Sequence, residues 1–124
     1  MSSTTVAVIG ASSDRRKFGN KALRAFLARG YTAIPINPRE AEIEGLKAYA
    51  SVLDVPGPID MATFYVSPVV GLAMLDDLVT KGVAEVWFNP GADSPDIVDR
   101  ARALGLRPVV ACSIVGIGES PGNY

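Results

Sequence analysis

The sequence predicts an α/β protein, a doubly wound five-stranded parallel sheet covered by helices in three αβα layers. Three observations predict it. Five short apolar runs recur along the chain, they are nearly continuous rather than alternating, and the segments between them carry apolar residues at helical spacing. At 124 residues the chain has the size of one domain, with core enough to fold alone, and residues 1–124 are read as a single unit.

The first strand runs from Val6 to Ile9. A helix follows, in which Ala22, Leu23, Phe26 and Leu27 form one stripe and Lys21, Arg24 and Arg29 lie largely off it. Thr32 to Ile36 is the second strand. Between Pro38 and Pro58 the pattern is irregular, with a turn at Gly45 and a short helix near Ser51-Val52-Leu53 that the proline pair ends. Met61 to Val66 is the third strand, and the second helix carries Val69, Leu72, Ala73, Leu75 and Val79 on one stripe. Ala84 to Phe88 is the fourth strand, followed by a helix with Ile97, Val98, Ala101 and Leu104, and Pro108 to Ala111 is the fifth. Ser67-Pro68 and Ser94-Pro95 each set a capping hydroxyl before a proline at a first helical position. Gly30, Gly82 and Gly105 close the three helices. Residues 113–124 read as an irregular tail.

Composition narrows the chemistry. Twelve Lys and Arg against thirteen Asp and Glu leave a formal charge of −1, which does not suit a nucleic-acid binder. The chain has no histidine, so Ser-His and Cys-His nucleophile pairs, imidazole metal sites and phosphohistidine are excluded. Its one cysteine cannot form an internal disulfide or a thiolate cluster, and Cys112, after an apolar strand, reads as core, as does Trp87. Met1-Ser2-Ser3-Thr4-Thr5 lacks the basic start and long apolar stretch of a secretory signal, and no apolar run reaches the length of a membrane span. The expectation is a soluble cytoplasmic protein that does not engage membranes.

In an open α/β sheet, ligands bind beyond the carboxyl ends of the strands. The residues there are Gly10-Ala11-Ser12-Ser13, Asn37-Pro38-Arg39, Tyr65-Val66-Ser67-Pro68 and Asn89-Pro90-Gly91, a set without a carboxylate. Such a rim offers hydrogen bonds and close backbone approach but few general acids or bases. Gly10 permits a tight turn, and small Ala11 and Ser12 let main-chain amides reach a phosphate at a helix start. The G-x-G-x-x-G fingerprint is not met, since Ser12 and Arg15 stand at its second and third glycines. The next glycine is Gly19, and the longer loop carries Arg15-Arg16-Lys17, with Arg15 and Lys17 as candidate phosphate contacts. The plain alternative is a glycine that serves the turn alone, beside solvated cations. After the second strand no acid awaits a ribose; Arg39 suits a phosphorylated one, the 2′-phosphate of NADP or the 3′-phosphate of coenzyme A, unless it simply faces water in an Asn-Pro turn.

Val6-Ala7-Val8-Ile9-Gly10-Ala11-Ser12 and Ile34-Pro35-Ile36-Asn37-Pro38 together resemble the stand-alone CoA-binding domain family, small Rossmann-like proteins similar to the CoA-binding domain of the succinyl-CoA ligase alpha subunit. The likeness continues through Gly45, Tyr49 and Ser51-Val52-Leu53-Asp54-Val55-Pro56, covers Ala84-Glu85-Val86-Trp87-Phe88 and reaches Cys112. The resemblance implies that Gly10, Ala11 and Ser12 hold the CoA diphosphate and that Asn37 with Pro38 flanks the adenosine. It also implies that Tyr65, Val66 and Ser67 line the groove and that Asn89 lies near the pantetheine path. Two departures stand out: family members often carry Arg at the position of Tyr65 or Val66, and commonly end in Cys-Leu-x-x-Glu-His where this chain continues Ser113-Ile114-Val115-Gly116.

The function expected on these grounds is non-catalytic binding of coenzyme A or an acyl-CoA. The family's phosphate-carrying histidine is missing, so the protein is expected not to be an enzyme. The alternatives are an NADP-binding reductase-like module and a regulatory interaction module with a vestigial crevice. A unit of this size can pair as a homodimer through a sheet edge or a helix face.

Overall fold

The computed structural model describes residues 4–124; Met1, Ser2 and Ser3, read above as the start of the chain, lie outside the described residues. Among the described residues, seven strands, β1 (Thr5–Ile9), β2 (Thr32–Ile36), β3 (Glu42–Ile43), β4 (Leu46–Lys47), β5 (Met61–Phe64), β6 (Glu85–Phe88) and β7 (Arg107–Val110), combine with five α-helices. These are α1 (Phe18–Ala28), α2 (Pro68–Leu72), α3 (Leu75–Lys81), α4 (Pro95–Ala103) and α5 (Ser113–Gly116). The main sheet is parallel in the order β2-β1-β5-β6-β7, a Rossmann-like α/β arrangement. The short pair β3-β4 fills the irregular stretch as a hairpin, where Glu44 and Gly45 both take positive φ, as a two-residue type I′ turn requires.

Alternation along β1 divides the core. Val6 and Val8 join Ala22, Leu23 and Phe26 of α1 together with Ile114, while Ala7 and Ile9 face Leu75, Leu78, Ile97 and Ala101 of α3 and α4. Helices therefore cover both faces, as the continuous apolar strands predict. The strand ends are flush: Ile36, Ile9, Phe64, Phe88 and Val110 are register partners across the sheet. The next residue of each strand thus stands on one rim. The order reverses between β1 and β5, which puts the crevice of such a sheet at Gly10 and Tyr65.

Three local expectations need correction. The second helix is broken into α2 and α3, and its buried residues are Gly71, Leu75 and Leu78, while Val69, Leu72 and Val79 face solvent. Gly71 sets this: a Cβ there would meet Phe64 and Ile97, so α2 packs against the sheet through a bare backbone. Ser94 Oγ accepts the Ile97 N–H across 3.2 Å, whereas the Ser67 hydroxyl caps nothing. Residues 113–124 are not simply irregular, because α5 buries Ser113 and Ile114 and Gly116 lies against the Trp87 ring. The end is tied down further where Tyr124 donates to Glu119 across 2.8 Å. No helix among the described residues is long and apolar enough to cross a membrane.

Candidate ligand cleft

The rim opens onto a cleft of about 490 Å³ lined by Gly10, Ser12, Lys17, Phe18, Gly19, Asn37, Tyr65, Val66, Ser67 and the Pro90-Gly91-Ala92 turn. Two glycines make it possible. Gly10 has φ +90° and lies so close to Tyr65 and Val66 that a Cβ would strike them. Gly19, on the first turn of α1, packs directly on the Gly10 carbonyl, where a Cβ has no room. Gly19 thus provides the close helix-strand approach that the third fingerprint glycine normally provides, four residues later than expected.

The start of α1 is left open. Its N-cap residue, Lys17, makes no capping side-chain bond, and the first turn holds no acid. The main-chain N–H groups of Ser12, Phe18 and Gly19 donate to no acceptor among the described residues. The residues that carry these three donors line the cleft together with Lys17, at the positive end of an eleven-residue helix. That arrangement suits a multi-oxygen anion.

The outer part of the loop is held by the chain itself. Ser12 Oγ accepts the Asp14 N–H across 3.0 Å, and Asn20 Nδ2 donates to Ser12 O across 2.8 Å. The Ser13 N–H donates to Glu40 Oε2 across 3.0 Å, an acid that returns to this loop although none stands at the strand end. Hydrogen bonding from Ser13 holds the Glu40 carboxyl below its ordinary pKa. The Arg16 guanidinium, in a paired contact, lowers Asp14 to about 2.

Asn37 organises the neighbouring edge. Its Nδ2 donates to Ala11 O across 2.9 Å and its Oδ1 accepts the Arg39 N–H across 2.7 Å. On the far side of Asn37 lies a second, mostly apolar slot of about 490 Å³, walled by Ile36, Pro38, Arg39, Ala50, Val66, Val70, Ala73 and Met74. Ala50, Val70 and Met74 were not singled out in the sequence, and Ala73 was read only as part of a helix stripe, because they come from a bend and from α2 and its end.

A buried polar cluster braces the opposite edge. Asn89 Nδ2 donates to Thr63 Oγ1 and Phe64 O, and its Oδ1 accepts the Ser113 N–H. Ser113 Oγ bonds Thr63 Oγ1 at 2.8 Å and the Tyr65 hydroxyl at 2.9 Å. Burial pushes the Tyr65 phenol up to about 12, against the opposing effect of its Ser113 bond. Beside this cluster a space of about 150 Å³ is lined by Phe18, Tyr65, Asn89, Pro90 and Cys112, so the thiol, read as core, borders a cavity instead.

The structure therefore brings together Gly10, Ser12, Lys17, Asn37, Tyr65, Val66 and Ser67 around the cleft, with Pro38 and Arg39 on the adjoining slot. Two expected residues stand elsewhere, and Asn89 lines only the smaller space beside the cleft. Arg15 pairs with Glu44 across 3.3 Å and lines neither space, because an acid from the β3-β4 turn draws it away. Ala11 is fully buried, and only its carbonyl takes part, on Asn37. Asn89 is buried with both side-chain atoms bonded internally, so it braces the rim from beneath. Phe18 and Gly19 were missed as lining residues; the late glycine after Gly10 was the available signal.

Comparison with known proteins gives consistent matches. The family model described as CoA binding domain matches residues 4–117. The alpha subunit of an ADP-forming acetate–CoA ligase (II) of Pyrococcus furiosus is 30% identical, over 95% of this chain and 28% of its own. An ADP-forming acetate–CoA ligase of Methanocaldococcus jannaschii is 43% identical, over 64% of this chain and 11% of its own. The chain thus spans less than a third of the length of these curated relatives. Among solved structures, a conserved hypothetical protein of Pyrococcus furiosus superposes with a TM-score of 0.82 at 34% identity, covering 93% of this chain and 99% of that one. An acetyl-coenzyme A synthetase of Ca. Korarchaeum cryptofilum, in complex with phosphate and ADP, gives a TM-score of 0.76 at 33% identity, over 87% of this chain and 25% of that one.

Proposed function

This chain belongs to the CoA binding domain family, and we propose that it binds coenzyme A or an acyl-CoA in the cleft at Gly10 without catalysing a reaction on it. One observation carries the reading: the uncapped first turn of α1 presents the free amides of Ser12, Phe18 and Gly19 to a cleft that also holds Lys17. A diphosphate supplies the acceptors those donors lack, and Gly10 and Gly19 keep the wall free of side chains.

In this reading the diphosphate lies on the three amides beside Lys17. The adenosine occupies the apolar slot past Asn37, between Pro38 and Met74, where Arg39 meets the ribose phosphate. The pantetheine arm leaves past Tyr65, Val66 and Ser67 toward the edge braced by Asn89. The character of the rim supports a binding role: amides, hydroxyls, two cations and a phenol whose pKa burial raises further offer no general base near neutral pH. The ligase activity of the longer relatives is not carried over to a chain that matches less than a third of them. We further place the protein in the cytoplasm, with a small-molecule partner, and expect that any pairing of copies uses a sheet edge or a helix face.

A thermal-shift panel of CoA, acetyl-CoA, NADP and NAD tests the assignment. A ligand at a hundred times its dissociation constant stabilises the fold by about 2.7 kcal/mol. CoA or acetyl-CoA should give such a shift and the dinucleotides little. A larger shift with NADP, or none with any of the four, would overturn the reading.

A further inference from the structure

Phe18 opens α1 with 53% of its surface exposed, although Leu23 and Phe26 of the same helix are fully buried. The ring is nonetheless held. Lys21 Nζ stands 5.3 Å from its centroid, a cation–π contact between neighbours on one helix face. Phe18 is also a wall of both the main cleft and the 150 Å³ space beside it. Tyr65 and Pro90 share both linings, so these three residues stand between the two spaces.

Resting on the CoA reading above, we infer that Phe18 is the specificity residue for the aliphatic pantetheine arm. Its ring face carries negative partial charge and gains nothing from a phosphate. What leaves the diphosphate past Phe18, Tyr65 and Pro90 is therefore a chain with apolar stretches, whose methyl and methylene groups cover the exposed ring surface. The main-chain N–H of Phe18 and its side chain divide the work: the amide serves the anion, and the ring selects what the anion carries. A nucleotide with the same phosphorylated adenosine and no arm leaves the ring in water.

The test compares CoA with adenosine 3′-phosphate 5′-diphosphate by calorimetry on wild type, Phe18→Ala and Phe18→Leu. Covering the exposed half of a phenylalanine corresponds to roughly a tenfold gain in affinity. Phe18→Ala should lose about that factor for CoA and keep wild-type affinity for the nucleotide, and Phe18→Leu should recover most of the loss. The ligand-free melting temperature of each variant checks that the fold is intact. Equal losses on both ligands, or a CoA affinity that does not change, would overturn the assignment to Phe18. Wild type that binds the nucleotide as tightly as CoA would overturn it too, and wild type that binds neither would sink the CoA reading beneath it.

Discussion

The Glu40 carboxylate accepts the main-chain N–H of Ser13 across 3.0 Å, joining the segment after β2 to the outer part of the loop after β1. A second acid does the same lower down: Glu44 accepts from Asn20 across 3.0 Å and pairs with Arg15. Both carboxyls are held below their ordinary pKa, Glu40 by hydrogen bonding from Ser13 and Glu44 chiefly by its bond from Asn20.

Acid should therefore loosen this loop first. A carboxyl whose folded pKa is depressed adds stability above its unfolded value, about 4.3 for glutamate, and loses it as pH falls through the folded value. Melting temperature followed downward from pH 5 should decline, and the decline should be shallower in the double variant Glu40→Gln, Glu44→Gln. An unchanged slope would mean that other groups carry the acid limb.

Alkali acts through Tyr65. Its folded pKa lies at about 12, above the ordinary value of 10, so its contribution is complete below pH 10 and fades between about 10 and 12. Tyr65→Phe should cost about 1 kcal/mol at neutral pH, the net worth of one hydrogen bond, since Ser113 keeps its bond to Thr63. The variant should also show a flatter loss of stability above pH 10 in denaturant titrations.

Gly19→Ala tests the close approach of α1 to the Gly10 carbonyl. The added Cβ forces helix and loop apart, at a cost of roughly 1 to 3 kcal/mol. CoA affinity should fall with it, because the Ser12 and Gly19 amides separate. Chemical denaturation and calorimetry on the same preparation read both effects.

Asn89→Ala removes the brace under the rim. It leaves the Ser113 N–H without its acceptor and Phe64 O without the Asn89 donor, and leaves Thr63 Oγ1 only its bond to Ser113 Oγ, all in a buried setting. Urea unfolding should show a loss of roughly 3 kcal/mol. A ligand-contact residue would instead change affinity and leave stability nearly untouched.

The central strands were legible because a strand buried on both faces must be almost wholly apolar, and Val6 to Ile9 or Met61 to Phe64 can be little else. Gly10-Ala11-Ser12 was legible because a turn after such a strand has few solutions. What failed was non-local. Arg15 looked free for a phosphate because its partner, Glu44, stands 29 residues away on a hairpin turn. The stripe of Val69, Leu72 and Val79 failed because Gly71, the bare position, is the one that faces the sheet, and helical periodicity rates a glycine as nothing. Asn89 sat where a ligand contact was expected, yet its partners come from β5 and the start of α5, which only the parallel register brings beneath it. The segment from Ser113 onward read as a tail because one buried Ser-Ile turn is too short to leave a periodic signal.

Amide NMR reads the three unpartnered donors of the cleft directly. In a titration of labelled protein with CoA, the Ser12, Phe18 and Gly19 N–H resonances should move downfield together and saturate at the affinity found by calorimetry, while Ser13, already bonded to Glu40, moves less. Saturable CoA binding that left those three resonances in place would contradict the account.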